Sequence, residues 1–347
     1  MAQRRKGKGK NMKRMIALLM TLLMLCSMTA CGNQEPSGSS DVGDGKISII
    51  CAHVDPEDSV THQGMLKFKE YMESNTDGRV EVQIYPNGQL GGEQECIQGV
   101  SMGSVQLTVV TASVMACWGD KFNLMELPFL FEDYDAVYNA YEGELGEKFG
   151  EWMEEYNCLN KGFYCGGFRA MSNSVRPIHT PDDMKGLKMR CIESEMFLKL
   201  FQLLGANPTP MSFNEVYTGL EQGTIEGQDN PATLTYTSKF YEPVKYFTST
   251  NHVALCIPIV VQKDFYENLP DDIKTVLDEG CEVLRQYCKD GWMNYEQECI
   301  QMMSDYGIEC STLTEEQAQM FKEKVTPIYD DYRAIVGDEM MDLALSY

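Results

Sequence analysis

Two arginines in apolar surroundings are the residues whose chemistry most needs a partner. Arg169 closes the run GFYCGGF (162–168), and Arg190 lies inside LKMRCI (187–192). A guanidinium in an apolar strand is costly unless it meets an anion. A carboxylate matches its fork with two parallel hydrogen bonds. An organic acid held by charge is one reading; an internal ion pair with one of the many Asp and Glu residues is the other, and at this point both stand. Catalytic arrangements are missing. The chain has no GxSxG serine elbow and no phosphate-cradling glycine loop, because the GKGK at 7–10 belongs to the N-terminal leader. No Cys and His are spaced as nucleophile and base. His53, Asp55, Asp58 and His62 can be drawn together as a metal cluster, but the spacing crosses a loop and a helix start, and Asp58 reads as an acid at a helix N-terminus. Neither catalysis, a metal nor a cofactor is expected.

Alternating strands and helices must position these side chains. ISIICA (47–52) reads as a short apolar strand, Val60 to about Asn75 as an amphipathic helix, and RVEVQIYP (79–86) as an alternating strand broken at Pro86-Asn87-Gly88. Glu93 to Met102 reads as a helix and VQLTVVTA (105–112) as a third, buried strand. This order implies a mostly parallel sheet with helices on its faces. LMELPFLF (124–131) leads into one long helix to about Tyr156. From Gly162 the pattern recurs: the two arginine-bearing strands, a helix from Ser194 to Leu204 ended by Gly205, and a helix over FNEVYTGLEQG (213–223) capped by Ser212. Asn251 to Gln262 reads as a strand returning to the first sheet. Asp271 to Tyr306 is one very long helical pattern with Gly280 and Gly291 as weak points. Thr314 and Gln317 form a capping box, and Pro327 kinks or splits the last helical stretch. Two α/β units joined by more than one crossover make a cleft, with a ligand at the strand-to-helix loops.

The N-terminus reads as an address. Residues 4–14 carry seven Lys or Arg and no acid, and an apolar run, MIALLMTLLMLCSM (15–28), then ends in Met28-Thr29-Ala30-Cys31. The run has the length of a signal-peptide core and is short for a bilayer span. Small residues before Cys31 suit a lipoprotein signal peptidase; Cys26, preceded by Leu25, fits less well, Met12 is an alternative start, and an uncleaved anchor helix is the competing reading. The polar, Gly- and Ser-rich stretch after Cys31 is a flexible tether. From Cys31 onward 52 acids face 22 bases, a formal charge near −30, which argues against nucleic acid as a partner. Eleven cysteines remain beyond Cys31, an odd number without CxxC spacing. Most read as buried free thiols, with one or two disulfides as the alternative.

Several ordered motifs resemble the extracytoplasmic solute-binding proteins of TRAP transporters: YPNGQLGGEQE (85–95), LPFLF (127–131), PDDMKGLKMRC (181–191) and LGANPTPMSFNEVYTGLEQGTIEGQDNP (204–231). The resemblance spans roughly residues 46–335. It implies a two-domain α/β cleft fold with mixed, mostly parallel sheets and a long domain-spanning helix. The expected division is a signal peptide (1–30), a tether (31–45), domain I (46–166 plus about 253–294) and domain II (167–252 plus about 295–347). It implies capture of a small organic acid and its delivery to the TRAP permease subunits, without catalysis. Arg190 is implied as the carboxylate anchor, aided by Arg169 and Asn230. Glu93, Thr111, His53, Glu193 and Phe213 are further expected ligand contacts, while Asn214, Glu215 and Tyr217 are assigned structural roles and Trp118 and Trp292 packing. The expected protein is a monomer, lipid-anchored through Cys31 on the outer face of the membrane or in the periplasm.

Departures from the family pattern bear on the ligand. Glu226-Gly227-Gln228-Asp229 exchanges the acids of the usual DGQE, and Cys191-Ile192-Glu193-Ser194 replaces an RVP type of run. Glu93 and Glu193 would accept from hydroxyl groups and repel a second carboxylate. A polyhydroxylated monocarboxylate, a uronate or aldonate, is therefore expected ahead of C4-dicarboxylates and 2-oxo acids. A receptor subunit reporting to a sensor kinase would share all of these residues.

Overall fold

Short apolar segments separated by turns give eleven strands, and the computed structural model, which describes residues 46–347, arranges them in two sheets. The expected signal peptide, Cys31 and the tether lie outside the described residues. Strands β1 (Ile47–Ala52), β2 (Val80–Tyr85), β3 (Leu107–Val109) and β4 (Cys158–Phe168) belong to the first sheet. The next five, β5 (Ala170–Asn173), β6 (Lys188–Cys191), β7 (Asn207–Pro210), β8 (Gly227–Asn230) and β9 (Tyr246–Ser249), build the second. β10 (Ala254–Gln262) returns to the first sheet and β11 (Glu309–Thr312) to the second, giving the orders β2-β1-β3-β10-β4 and β11-β9-β5-β8-β6-β7. Both sheets are mixed. β10 runs antiparallel to β3 and β4, and β5 antiparallel to β8 and β9, while the other ladders are parallel.

Among the described residues twelve α-helices cover the sheets: α1 (Val60–Ser74), α2 (Glu93–Met102), α3 (Tyr134–Glu142), α4 (Glu144–Glu154), α5 (Glu195–Leu203), α6 (Val216–Glu221), α7 (Ala232–Thr237), α8 (Lys263–Glu267), α9 (Asp271–Tyr306), α10 (Glu315–Val325), α11 (Pro327–Val336) and α12 (Asp338–Ala344). The long helix expected to run to Tyr156 is two helices. Gly143 is extended between α3 and α4, and a Cβ there would come within 2.7 Å of the Asn139 carbonyl and 2.4 Å of the Tyr347 hydroxyl. The expected helix at 213–223 begins instead as a 3-10 turn (Phe213–Glu215) and continues as α6. Pro327 does split the C-terminal stretch, and Thr314 and Gln317 form the capping box.

Helix α9 runs for 36 residues without a break and packs on α1, β4, α7 and β11, so it touches elements of both sheets. Gly291 is not a weak point in it: a Cβ there would meet Val60 at 2.5 Å, so the glycine lets α1 lie close. The buried faces of α1 and α9 close one side of the first sheet around Phe68, Leu277 and Leu284. All eleven cysteines among the described residues are unpaired; nine are buried, Cys310 is partly buried and Cys117 is exposed. Among the described residues no helix is long and apolar enough to cross a membrane.

Candidate ligand-binding site

The chain crosses from the first sheet to the second at a single residue, Arg169, between β4 and β5. It crosses back over Thr250–Val253, between β9 and β10. The two crossings pair with each other: Arg169 N–H donates to Val253 O at 2.8 Å. Between them lies a buried polar cluster. Arg169 Nε donates to Asp229 Oδ2 at 2.6 Å, and its Nη2 donates to the Asp229 carbonyl. His252 Nε2 lies 3.3 Å from the same carboxylate oxygen, and its Nδ1 is 2.7 Å from the Thr250 hydroxyl. Burial pushes the Asp229 carboxyl up, but the Arg169 charge and the hydrogen bonds from His252 and Arg169 outweigh it and hold the group at about 2. Burial likewise opposes the charge on Arg169, yet the Asp229 carboxylate raises its affinity for its proton. Glu126, fully buried, accepts from the backbone N–H of Ser113 at 2.8 Å and of Cys256 at 3.0 Å and acts electrostatically on Arg169. Desolvation drives its carboxyl up to about 7, against those hydrogen bonds and the arginine.

Arg190 is built differently. It occupies the third position of β6, is 3 % exposed, and donates from Nε to Met211 O at 2.9 Å. No ion pair holds it among the described residues. Burial, then the neighbouring Arg169, lowers its hold on its proton. A buried guanidinium in that state is stabilised by an arriving anion. Both arginines open on one cavity. The first sheet and its loops contribute Val54, Asp55, Thr111, Tyr164 and Ile257; the second contributes Arg190, Ile192 and Asn230. The non-atom space between these walls, with its opening to solvent, is about 440 Å³.

Of the expected contacts, Arg190, Arg169, Asn230, Glu93, Thr111 and Phe213 all line this cavity. Asn230 donates from Nδ2 to Gln228 Oε1 at 2.5 Å, and Gln228 is held by Ser172 at 2.8 Å. Glu93 opens α2 and takes the Thr111 backbone N–H on Oε1 at 2.7 Å; desolvation raises its carboxyl even though Thr111 and the two arginines act against that. Phe213 packs on Phe240 with ring centroids 5.3 Å apart.

Two expected contacts are not among the lining residues. His53 is buried, its ring directed at His62 Nδ1 at 3.0 Å, and burial with that neighbour depresses it to about 3. Glu193 is exposed and borders outer hollows at the cavity mouth instead. Trp292, assigned to packing, lines the cavity as well as the core, and its buried Nε1–H has no acceptor. Asp55 lines the same cavity, not a metal site, and among the described residues no group of three or more His, Cys, Asp or Glu side chains is placed to hold a metal ion.

Comparison with known proteins returns both a family and solved structures of the same fold. The family described as "Bacterial extracellular solute-binding protein, family 7" matches residues 51–334. This chain belongs to that family. It is thus a TRAP-type solute-binding protein, extracytoplasmic, and a binder and not an enzyme. Among family-7 relatives, the C4-dicarboxylate-binding periplasmic protein DctP of Rhodobacter capsulatus is 32 % identical over 295 residues, 84 % of this chain and 88 % of that one. The sugar acid binding protein of Advenella mimigardefordensis, solved in complex with galactonate, superposes with a TM-score of 0.84 at 28 % identity, covering 87 % of this chain and 97 % of that one. A TRAP periplasmic solute-binding protein of Shewanella oneidensis with bound succinate gives 0.83 at 28 % identity, covering 87 % and 99 %.

Proposed function

We propose that this family-7 protein captures a small organic acid whose carboxylate is held by Arg190, with Arg169 and Asn230 beside it, and delivers it to TRAP permease subunits. One observation carries the reading: Arg190 is buried on the cavity wall with a backbone carbonyl as its hydrogen-bond acceptor and no carboxylate paired to it. A polyhydroxylated monocarboxylate, a uronate or an aldonate, fits ahead of a C4-dicarboxylate. Glu93 and Asp55 both line the cavity, and a second ligand carboxylate would meet their charge. The galactonate complex of a relative supports this order, and the succinate complex and the C4-dicarboxylate relative keep the second reading in view. Each sheet with its helices acts as a lobe, and the lobes close on the acid about the crossings at Arg169 and Thr250–Val253. The protein works as a monomer tethered through a lipidated Cys31. A thermal-shift screen of galactonate, galacturonate, succinate and 2-oxoglutarate tests the ligand class; stabilisation by succinate alone would reverse the preference. Calorimetry on Arg190→Ala tests the anchor: affinity should fall about 100-fold or more, and near-native binding would remove Arg190 from the role. Globomycin-sensitive processing and membrane retention that disappears in Cys31→Ser test the tether.

A further inference from the structure

Away from the arginines, the cavity holds two polar groups that the carboxylate anchor does not use. Trp292, on α9, is 2 % exposed and lines the cavity, and its indole Nε1–H has no hydrogen-bond acceptor. A buried donor without an acceptor is unfavourable, and an accepting group on a ligand beside it removes that cost. Asp55, in the loop between β1 and α1, lines the same cavity half-buried. Its carboxyl is raised to about 7, by desolvation first and by Glu93 as well, against a hydrogen bond from Thr61. Asp55 and Trp292 belong to the wall made by the first sheet and its helices, Arg190 and Asn230 to the wall made by the second. Tyr164 and Thr61 complete this region, their hydroxyl oxygens 3.5 Å apart.

We propose that Trp292 and Asp55 are specificity-determining residues that read a neutral hydroxyl group on the acid held by Arg190. A hydroxyl both accepts and donates, so it accepts from the indole N–H and hydrogen-bonds Asp55 in either state, donating to the carboxylate or accepting from the protonated carboxyl. A methylene does neither, and leaves the indole unpaired. A second carboxylate accepts from the indole but places its charge beside Asp55 and Glu93. A site built to hydrogen-bond a hydroxyl rejects analogues lacking it more strongly than an apolar wall does. The inference rests on the carboxylate anchor proposed above and adds which part of the ligand is read, and by what.

The test is calorimetry with galactonate, succinate and hexanoate on the wild type, Trp292→Phe, Asp55→Asn and Arg190→Ala. The wild type should bind galactonate ahead of the other two. Trp292→Phe keeps the ring and removes the donor, and should weaken galactonate roughly tenfold or more while changing hexanoate little. Asp55→Asn keeps the shape and removes the charge; it should narrow the preference for galactonate over succinate by about tenfold. Because Trp292 is also a core residue, a thermal melt accompanies each variant, and Asp55→Asn carries the test if Trp292→Phe unfolds. Unchanged galactonate affinity in the variants, with binding abolished in Arg190→Ala, would overturn the hydroxyl-reading pair and leave the anchor intact. Wild-type protein that binds none of the three acids, or Arg190→Ala that binds them as well as wild type, would overturn the anchor itself.

Discussion

The crossing that carries Arg169 and the strand end that carries Arg190 place the same functional group in the same cavity, and they are built in opposite ways. Arg169 is held on several sides: by the carboxylate and carbonyl of Asp229, by the pairing of the two crossings, and by Phe197 with the guanidinium 5.1 Å from its ring centre. Arg190 has a backbone carbonyl. A paired buried arginine is part of the scaffold, and its charge is largely neutralised before any ligand arrives. An unpaired one keeps its charge open to an arriving anion.

The most severe test of this contrast is Arg169→Ala. It leaves Asp229 buried without its cation and should lower stability by about 3–5 kcal/mol, read as the denaturant midpoint, with binding lost as well. Arg190→Ala should do the reverse, with stability unchanged to within about 1 kcal/mol while affinity collapses. Equal destabilisation by the two substitutions would erase the contrast. The surroundings of Arg169 supply the next test. Glu126 acts on Arg169, and its folded-state carboxyl titrates near 7 instead of the ordinary 4.5. A raised carboxyl binds its proton more tightly in the folded state, so its contribution is complete below the unfolded value, falls as pH rises towards 7, and is gone above it. Between pH 5 and 8 this group should remove about 2 kcal/mol of stability. Asp55, raised for the same reason, adds to the slope, and Asp229, held at about 2, contributes its stabilisation above the ordinary 3.8 and loses it only as pH falls towards 2. The melting temperature of the ligand-free protein should therefore be higher at pH 5 than at pH 8, and Glu126→Gln should flatten the profile; a flat wild-type profile would show that the Glu126 carboxyl is not displaced. The smallest effect is expected at Thr250→Val, which removes hydrogen bonds to the His252 ring and to the Arg169 backbone carbonyl. It should cost about 1 kcal/mol and shift affinity only a few-fold, and a larger loss of affinity than of stability would mean the second crossing acts on the ligand directly.

The main architecture was legible from the sequence where a strand or helix is long and apolar on one face. β1, α1, α2, β10 and α9 fall within a residue or so of their expected limits, apart from a later start for β10. Of the four-residue strands only β6 was legible. NPTP, GQDN and ECST have no hydrophobic period to read, and they become strands only because neighbours in the second sheet pair with them. The same distinction runs through the site. Arg190, Arg169 and Asn230 lie in long motifs, and all three line the cavity. Glu193 borders the outer hollows instead. Trp292 was set aside because a tryptophan on a helical face packs, and here it packs and also lines the cavity. Asp55 had been considered only as a metal ligand, since nothing in a polar loop tells which acid will be drawn against an apolar wall.

The eleven unpaired cysteines have a consequence for how opening of this molecule is followed. Nine are buried, and burial drives their thiols upward, several to about 12 or beyond, so in the folded state they are poor thiolates. They are also spread through both sheets and along α9, from Cys51 on β1 and Cys191 on β6 to Cys281, Cys288 and Cys299 on successive stretches of the helix. A thiol-alkylating reagent followed by mass spectrometry thus meets a chain carrying its own internal tally. Cys117 marks the closed molecule, and each further label records, at a known address, a region that has come apart.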